Sequence, residues 1–271
     1  MELGKEIRMK RLLNKESGNL LSVALDHAIA WGILPGIENI QKALDRIVEG
    51  KPDAITMHKG SAENCFSKYA GQVSLIMKST TFAPYHPRYD VAVGDVEEAL
   101  RLGADAIAVE ITSMCGKDQI PLLAQLGKFV KEATKYGLPV VSHIYPKGEM
   151  IKDSDRYKAE YVAYAARAAE ELGVDIIKTF YTGDPESYSK VIEAAAPSIV
   201  VVSGGPKLDS IRDVFKMTKD AMEVGARGVT YGRNVWQAEN PVAVLQGLKH
   251  IIHHQGTVEE ALKIVSKYSS N

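Results

Sequence analysis

Eight short apolar runs alternate along the chain with longer segments of helical spacing. The runs are Leu20–His27, Ala54–Gly60, Val73–Ser79, Ala106–Thr112, Pro139–Pro146, Asp175–Tyr181, Ile199–Gly205 and Gly228–Asn234. Because they are nearly continuous rather than alternating, they predict strands buried on both faces, and so a parallel sheet under a layer of helix. Most of the intervening segments have helical spacing. Tyr157–Leu172, for example, places Tyr161, Ala165, Ala168 and Leu172 on one helix face.

A repeated hinge narrows the architecture. A helix ends and a strand begins around Gly103, again around Gly173, and again around Gly225, each time within a similar local sequence. Glycine at such a point takes the left-handed conformation that closes a helix. One βα unit used eight times, in about 250 residues, makes a single (β/α)8 TIM barrel. A doubly wound open sheet would carry a Gly-rich turn after its first strand, but here that strand runs into Leu25-Asp26-His27-Ala28. No linker or low-complexity stretch divides the chain. The expected organisation is one barrel over residues 1–271, with a short N-terminal extension (1–19) and an extra C-terminal helix (257–268). Thr257 and Glu260 have the spacing of a capping box at the start of that helix.

Composition adds exclusions. The chain has 271 residues, 45% hydrophobic and 25% charged, with a formal net charge of −1. That balance speaks against a nucleic-acid partner. No apolar run approaches the roughly 20 residues of a membrane span, and the charged start, Met1 to Arg8, lacks a signal-peptide core. Two cysteines, Cys65 and Cys115, read as reduced thiols of a cytoplasmic protein.

Lys178 is the residue that asks for chemistry, because it interrupts the apolar strand Asp175–Tyr181. Burial lowers a lysine pKa and leaves a free amine, the nucleophile that forms Schiff bases with carbonyls. The plainer alternative is a lysine that snorkels to solvent or pairs with a carboxylate. In a barrel the functional face is the C-terminal end of the strands. There the sequence collects Asp26 and His27, then His58, then His143 and Tyr145, then Lys178, then Ser203, Gly204 and Gly205, and finally Gly232 and Arg233. The glycines of the last two ends and the Arg233 fork suit a phosphate, which barrels often bind after strands seven and eight. Tyr145 is placed for proton transfer beside an imine, and Asp26 to favour the iminium cation. His27, His58 and His143 could instead converge on a metal, although no close-spaced histidine pair supports that and it leaves Lys178 unexplained. His253 and His254 read as surface residues.

Several motifs, taken together, resemble the archaeal-type class I aldolases, the group of fructose-bisphosphate aldolases and aminodideoxyheptulosonate synthases. They are Ala24-Leu25-Asp26-His27, His58-Lys59-Gly60, Tyr145-Pro146-Lys147-Gly148, Ile177 to Asp184, Ser203 to Lys207, and Gly232 to Gln237, in family order. The resemblance implies an imine at Lys178 with no cofactor and no metal, a proton-shuttling Tyr145, Asp26 in support, and phosphate loops at Ser203–Gly205 and Gly232–Arg233. His27, His58 and His143 fall among the substrate-binding positions. The implied substrate is a phosphorylated ketose, most simply a fructose-bisphosphate-like sugar yielding dihydroxyacetone phosphate. Transaldol-type heptulosonate synthesis and an unusual deoxy or sulfo ketose phosphate are the alternatives, and a sugar-phosphate sensor without turnover is a further one. The resemblance also implies a homo-oligomer. The chain departs from the pattern after strand three (Lys78 to Pro87), after strand four (Glu110 to Gly116), and at His143, where some bisphosphate aldolases carry tryptophan.

Overall fold

The computed structural model describes residues 2–269. All eight apolar runs form strands, each shorter than its run: β1 (Leu20–Ala24), β2 (Ala54–His58), β3 (Ser74–Lys78), β4 (Ala106–Ile111), β5 (Val140–Ile144), β6 (Ile176–Phe180), β7 (Ile199–Ser203) and β8 (Gly228–Tyr231). Polar strand-end residues counted into the runs, such as Asp26, Tyr145 and Gly204, lie in the loops beyond. All neighbouring strands pair in parallel, and β1 closes on β8 with Leu20 opposite Gly228. The result is an eight-stranded (β/α)8 barrel. Gly103, Gly173 and Gly225 have φ of 72°, 87° and 105°, so each repeated hinge is a left-handed helix end.

Side chains alternate along a strand, and this sorts residues into layers. Leu20, Ala54, Ile76, Ala106, Ala108, Val141, Ile176 and Val201 pack together inside the barrel, closed below by Leu12. Leu12 ends the helix Leu3–Leu12. Lys5 ties that helix to Asp175 at 2.9 Å, and Arg11 O accepts from Ser74 Oγ. The N-terminal extension is thus the plug of the barrel floor. Two residues further along their strands stand Ser22, Thr56, Lys78, Glu110, His143, Lys178 and Ser203, all buried. A dry lower layer therefore carries a polar upper one.

Three details differ from the pattern-based expectation. The segment after β3 is an antiparallel hairpin, Thr80–Ala83 with His86–Ala92, which the pattern of apolar runs does not include; Pro84 and Pro87 mask it in the sequence. The helix Ala159–Glu171 buries Val162, Ala165, Ala166 and Ala169, a face rotated from the expected one. His253 is not a surface residue: its side chain is 3% exposed, between Ser17 Oγ at 2.9 Å and Asp53 Oδ2 at 3.1 Å. The expected capping box is present, with Glu260 N donating to Thr257 Oγ1 and Thr257 N donating to Glu260 Oε2. Among the described residues no helix is long and apolar enough to cross a membrane.

Candidate active site

The strand ends enclose one cavity. Its lining includes Asp26, His27, His143, Tyr145, Lys178, Ser203, Gly204, Gly205, Gly232 and Arg233, so the fold brings together ten of the eleven residues singled out from sequence. His58 is the other. It follows the inward parity of β2 and sits in register with Lys78, but it is not among the lining residues. Among the described residues no three His, Cys, Asp or Glu side chains are disposed as a metal-ligand set.

Three buried or half-buried lysines line this cavity, and their surroundings differ. Lys78 Nζ is 2.5 Å from Glu110 Oε2 and 3.3 Å from Asp26 Oδ2. Burial works against its charge, but the two carboxylates outweigh that and hold its pKa above the ordinary lysine range. Lys147 extends over the rings of Tyr145, Phe180 and Trp31 at 5.3, 5.6 and 5.8 Å; burial draws its pKa down. Lys178 makes no hydrogen bond or ion pair with any described residue. Burial lowers its pKa, helped by the ammonium of Lys78 and opposed by Asp26 and Glu110. Among the described residues it has neither the carboxylate contacts of Lys78 nor the ring contacts of Lys147.

Around Lys178 the ionisation states are arranged by the same charges. Burial would raise the Asp26 pKa, yet Lys78, His27, Lys178 and His143 hold it well below the carboxylate range. Asp26 therefore remains an anion. It does not cap the following short helix, Ala28–Trp31, whose N-cap is His27. His27 Nδ1 lies 3.4 Å from Asp26 Oδ1 and His143 Nδ1 3.9 Å from Asp26 Oδ2. Burial keeps both imidazoles neutral, drawing His27 to about 4 and His143 well below its usual value. Tyr145 stacks on Phe180 at 4.5 Å, and its hydroxyl is 3.2 Å from Ser203 Oγ. Burial, with Glu110 nearby, holds the Tyr145 pKa well above that of a free phenol, so it keeps its proton.

The β7 and β8 loops are locked to each other. Arg233 Nη2 donates to Gly205 O at 2.9 Å, and Asn234 Nδ2 donates to Gly204 O at 2.8 Å and to Pro206 O at 3.2 Å. A Cβ on Gly232 would lie 2.4 Å from His27 Cε1, and one on Gly204 would lie 2.9 Å from the Tyr231 ring. These two glycines serve close packing as much as an exposed backbone. Gly205, with φ of 62°, meets nothing within 4 Å of such a Cβ and leaves open space beside it.

Lys147, Trp31 and buried Asp90 were not singled out by sequence, and Lys78, Phe82 and Glu110 only as parts of the two departures. A signal existed for Lys78: it ends the apolar run Leu75-Ile76-Met77, as Lys178 follows Ile176-Ile177. Phe82 and Asp90 come from the hairpin, which the pattern did not show.

A closed barrel whose mouth holds an unpaired buried lysine, a protonated phenol and a fixed carboxylate is the architecture of a class I, Schiff-base aldolase. The chain belongs to the DeoC/LacD aldolase family, whose model matches residues 20–238. It is 37% identical to an uncharacterized aldolase of Saccharolobus solfataricus, over 97% of this chain and 99% of that one. It is 33% identical to 2-amino-4,5-dihydroxy-6-oxo-7-(phosphonooxy)heptanoate synthase of Streptomyces griseus, over 93% and 92%. The crystal structure of an archaeal fructose 1,6-bisphosphate aldolase superposes with a TM-score of 0.83 at 31% identity, covering 93% of this chain and 99% of that one. A second archaeal fructose-1,6-bisphosphate aldolase structure carries its catalytic lysine bound to the carbinolamine of the substrate; it superposes at 0.84 with 30% identity, over 92% and 99%.

Proposed function

We propose that this aldolase cleaves or forms a phosphorylated ketose through an imine at Lys178. The observation that carries the assignment is the contrast among the three lysines: Lys78 is held by two carboxylates, Lys147 lies over aromatic rings, and Lys178 alone stands unpaired beside an anionic carboxylate. Its amine attacks the ketone carbon. Loss of water from the carbinolamine gives an iminium, whose positive charge Asp26 favours. The iminium draws in the electron pair of the bond between the third and fourth carbons as a proton leaves the C4 hydroxyl. Tyr145, at the cavity wall with Ser203, is the group for that proton's relay, passing its own proton to Ser203 Oγ as it accepts the one from C4. Reprotonation of the enamine and hydrolysis return the amine. Gly204, Gly205, Gly232 and Arg233 hold the phosphate and set its distance from the amine, while His27 and His143, on the same cavity wall, contact the rest of the substrate.

Similarity to the fructose-bisphosphate aldolases supports a fructose-bisphosphate-like sugar yielding dihydroxyacetone phosphate. The heptanoate synthase relative supports a second reading, transaldol-type transfer to an amino-heptulosonate. Cys65 and Cys115 are free and buried, in keeping with a cytoplasmic setting; a homo-oligomeric state rests on the resemblance alone. Borohydride reduction in the presence of fructose 1,6-bisphosphate, followed by peptide mass spectrometry, tests the assignment. A reduced adduct on the Lys178 peptide is expected. An adduct confined to Lys78 or Lys147 would move the nucleophile.

A further inference from the structure

The wall of the cavity facing the phosphate loops carries a feature that the imine chemistry does not use. Glu110 is buried at the end of β4, and its Oε2 is taken by Lys78. Its Oε1 has no partner among the described residues, yet is not among the fully enclosed polar atoms. Because Glu110 lines the cavity, that oxygen opens into it. In the closed strand order β4 stands opposite β8, and β3 opposite β7. A ketose anchored by its phosphate at β7 and β8, and by its carbonyl at β6, extends its other half across the barrel toward β3 and β4. There it meets Glu110, Lys78 and Phe82 of the hairpin.

We propose that Glu110 is a specificity residue whose open carboxylate oxygen accepts the hydroxyl one carbon beyond the cleaved bond, C5 of the ketose. This rests on the Schiff-base reading above and deepens it by naming what the aldehyde half must carry. A carboxylate paired with an ammonium through one oxygen keeps acceptor capacity at the other and has no donor. It therefore binds a hydroxyl, leaves an acceptor unsatisfied beside a methylene, and repels an anionic group. Lys78 acts on this oxygen by fixing the other one: a two-point clamp between Asp26 and Glu110 aims the carboxylate without blocking it. The substrate class is thus a ketose phosphate hydroxylated at C5, with any second phosphate further out, toward the mouth where Lys147 lies.

The experiment compares retro-aldol cleavage of fructose 1,6-bisphosphate with that of its 5-deoxy analogue, in the unchanged protein and in Glu110→Leu and Glu110→Gln. The unchanged protein favours the hydroxylated sugar in kcat/KM by about 100-fold or more, as a site built to bind a hydroxyl does. Glu110→Leu cuts that ratio to about tenfold or less. Glu110→Gln falls between, since a neutral acceptor is weaker than a charged one. Borohydride trapping of dihydroxyacetone phosphate on each variant reports a folded amine and phosphate site, and if Glu110→Leu does not fold, Glu110→Gln carries the comparison. Equal losses on both sugars, or a ratio that does not change, overturn the role of Glu110 alone. Absence of the adduct in the unchanged protein overturns the Schiff-base reading and this inference with it.

Discussion

The two sides of the barrel mouth are built by different means. On the β6 to β8 side the chain offers backbone, an arginine fork and one unpaired amine, with Arg233 and Asn234 locking the adjoining loop. On the β3 and β4 side it offers a buried ion pair and a hairpin in which Asp90 Oδ2 accepts from Thr112 N at 2.7 Å. A backbone cradle suits a phosphate whatever sugar bears it. A fixed carboxylate distinguishes a donor from an acceptor. On the proposed reading, the first side sets a general chemistry and the second sets which molecule undergoes it.

The sharpest break of that comparison removes the two lysines one at a time. Lys178→Met removes the nucleophile and lowers kcat on the order of 10^4-fold or more, with loss of the borohydride adduct. Lys78→Met leaves the amine in place and still gives an adduct. Its main effect is on stability, a loss of about 3–5 kcal/mol in urea unfolding, because Glu110 and Asp26 lose the buried charge between them. It also removes the like charge that helps lower the Lys178 pKa. The rising limb of imine formation with pH therefore moves upward, which a pH series of trapping rates measures. If Lys78→Met abolished the adduct and Lys178→Met did not, the two sides would have to trade roles.

A smaller effect sharpens the phosphate side. Arg233→Ala raises KM for a phosphorylated ketose about 10–100-fold through loss of a charged hydrogen bond and of the β7 loop's tie to Gly205. Steady-state kinetics at fixed ionic strength reads it. A fall in kcat with KM unchanged would place Arg233 in the chemistry instead.

The smallest effect belongs to Asp90. Burial and neighbouring Glu110 push its pKa up to about 8, so the folded protein holds a proton that the unfolded chain releases in the ordinary carboxylate range. The folded state binds more protons between those values, and this group's contribution to stability falls as pH rises toward about 8. Asp90→Asn removes that decline and stabilises the protein by roughly 1–3 kcal/mol near pH 7. Denaturation midpoints at pH 5 and pH 8 test the sign: the gain from Asp90→Asn must be larger at pH 8. A gain independent of pH would show that Asp90 is already ionised.

The same contrast explains what could be read without coordinates. Lys178 stands out as a cation in an apolar run, and Tyr145, Gly204-Gly205 and Gly232-Arg233 as polar or glycine residues at strand ends. Lys78 breaks the pattern in the same way and was passed over, since its partners Glu110 and Asp26 lie 32 and 52 residues away and only barrel closure brings them to it. The hairpin was missed for a different reason: Pro84 and Pro87 hide its strands, and its pairing bends at Thr81 to Ala83. His253 was misjudged because its partners Ser17 and Asp53 come from the far end of the chain.

By itself, the sequence determined the number and order of the barrel strands, the glycine hinges between helix and strand, and most of the residues that gather at the strand ends, because burial patterning and backbone conformation are local properties. Tertiary structure alone decided which lysine is paired with carboxylates. Charge in a low-dielectric interior depends on what lies within a few ångströms, and closure of β1 on β8 sets those distances. It left Lys78 between two carboxylates and Lys178 with none in contact.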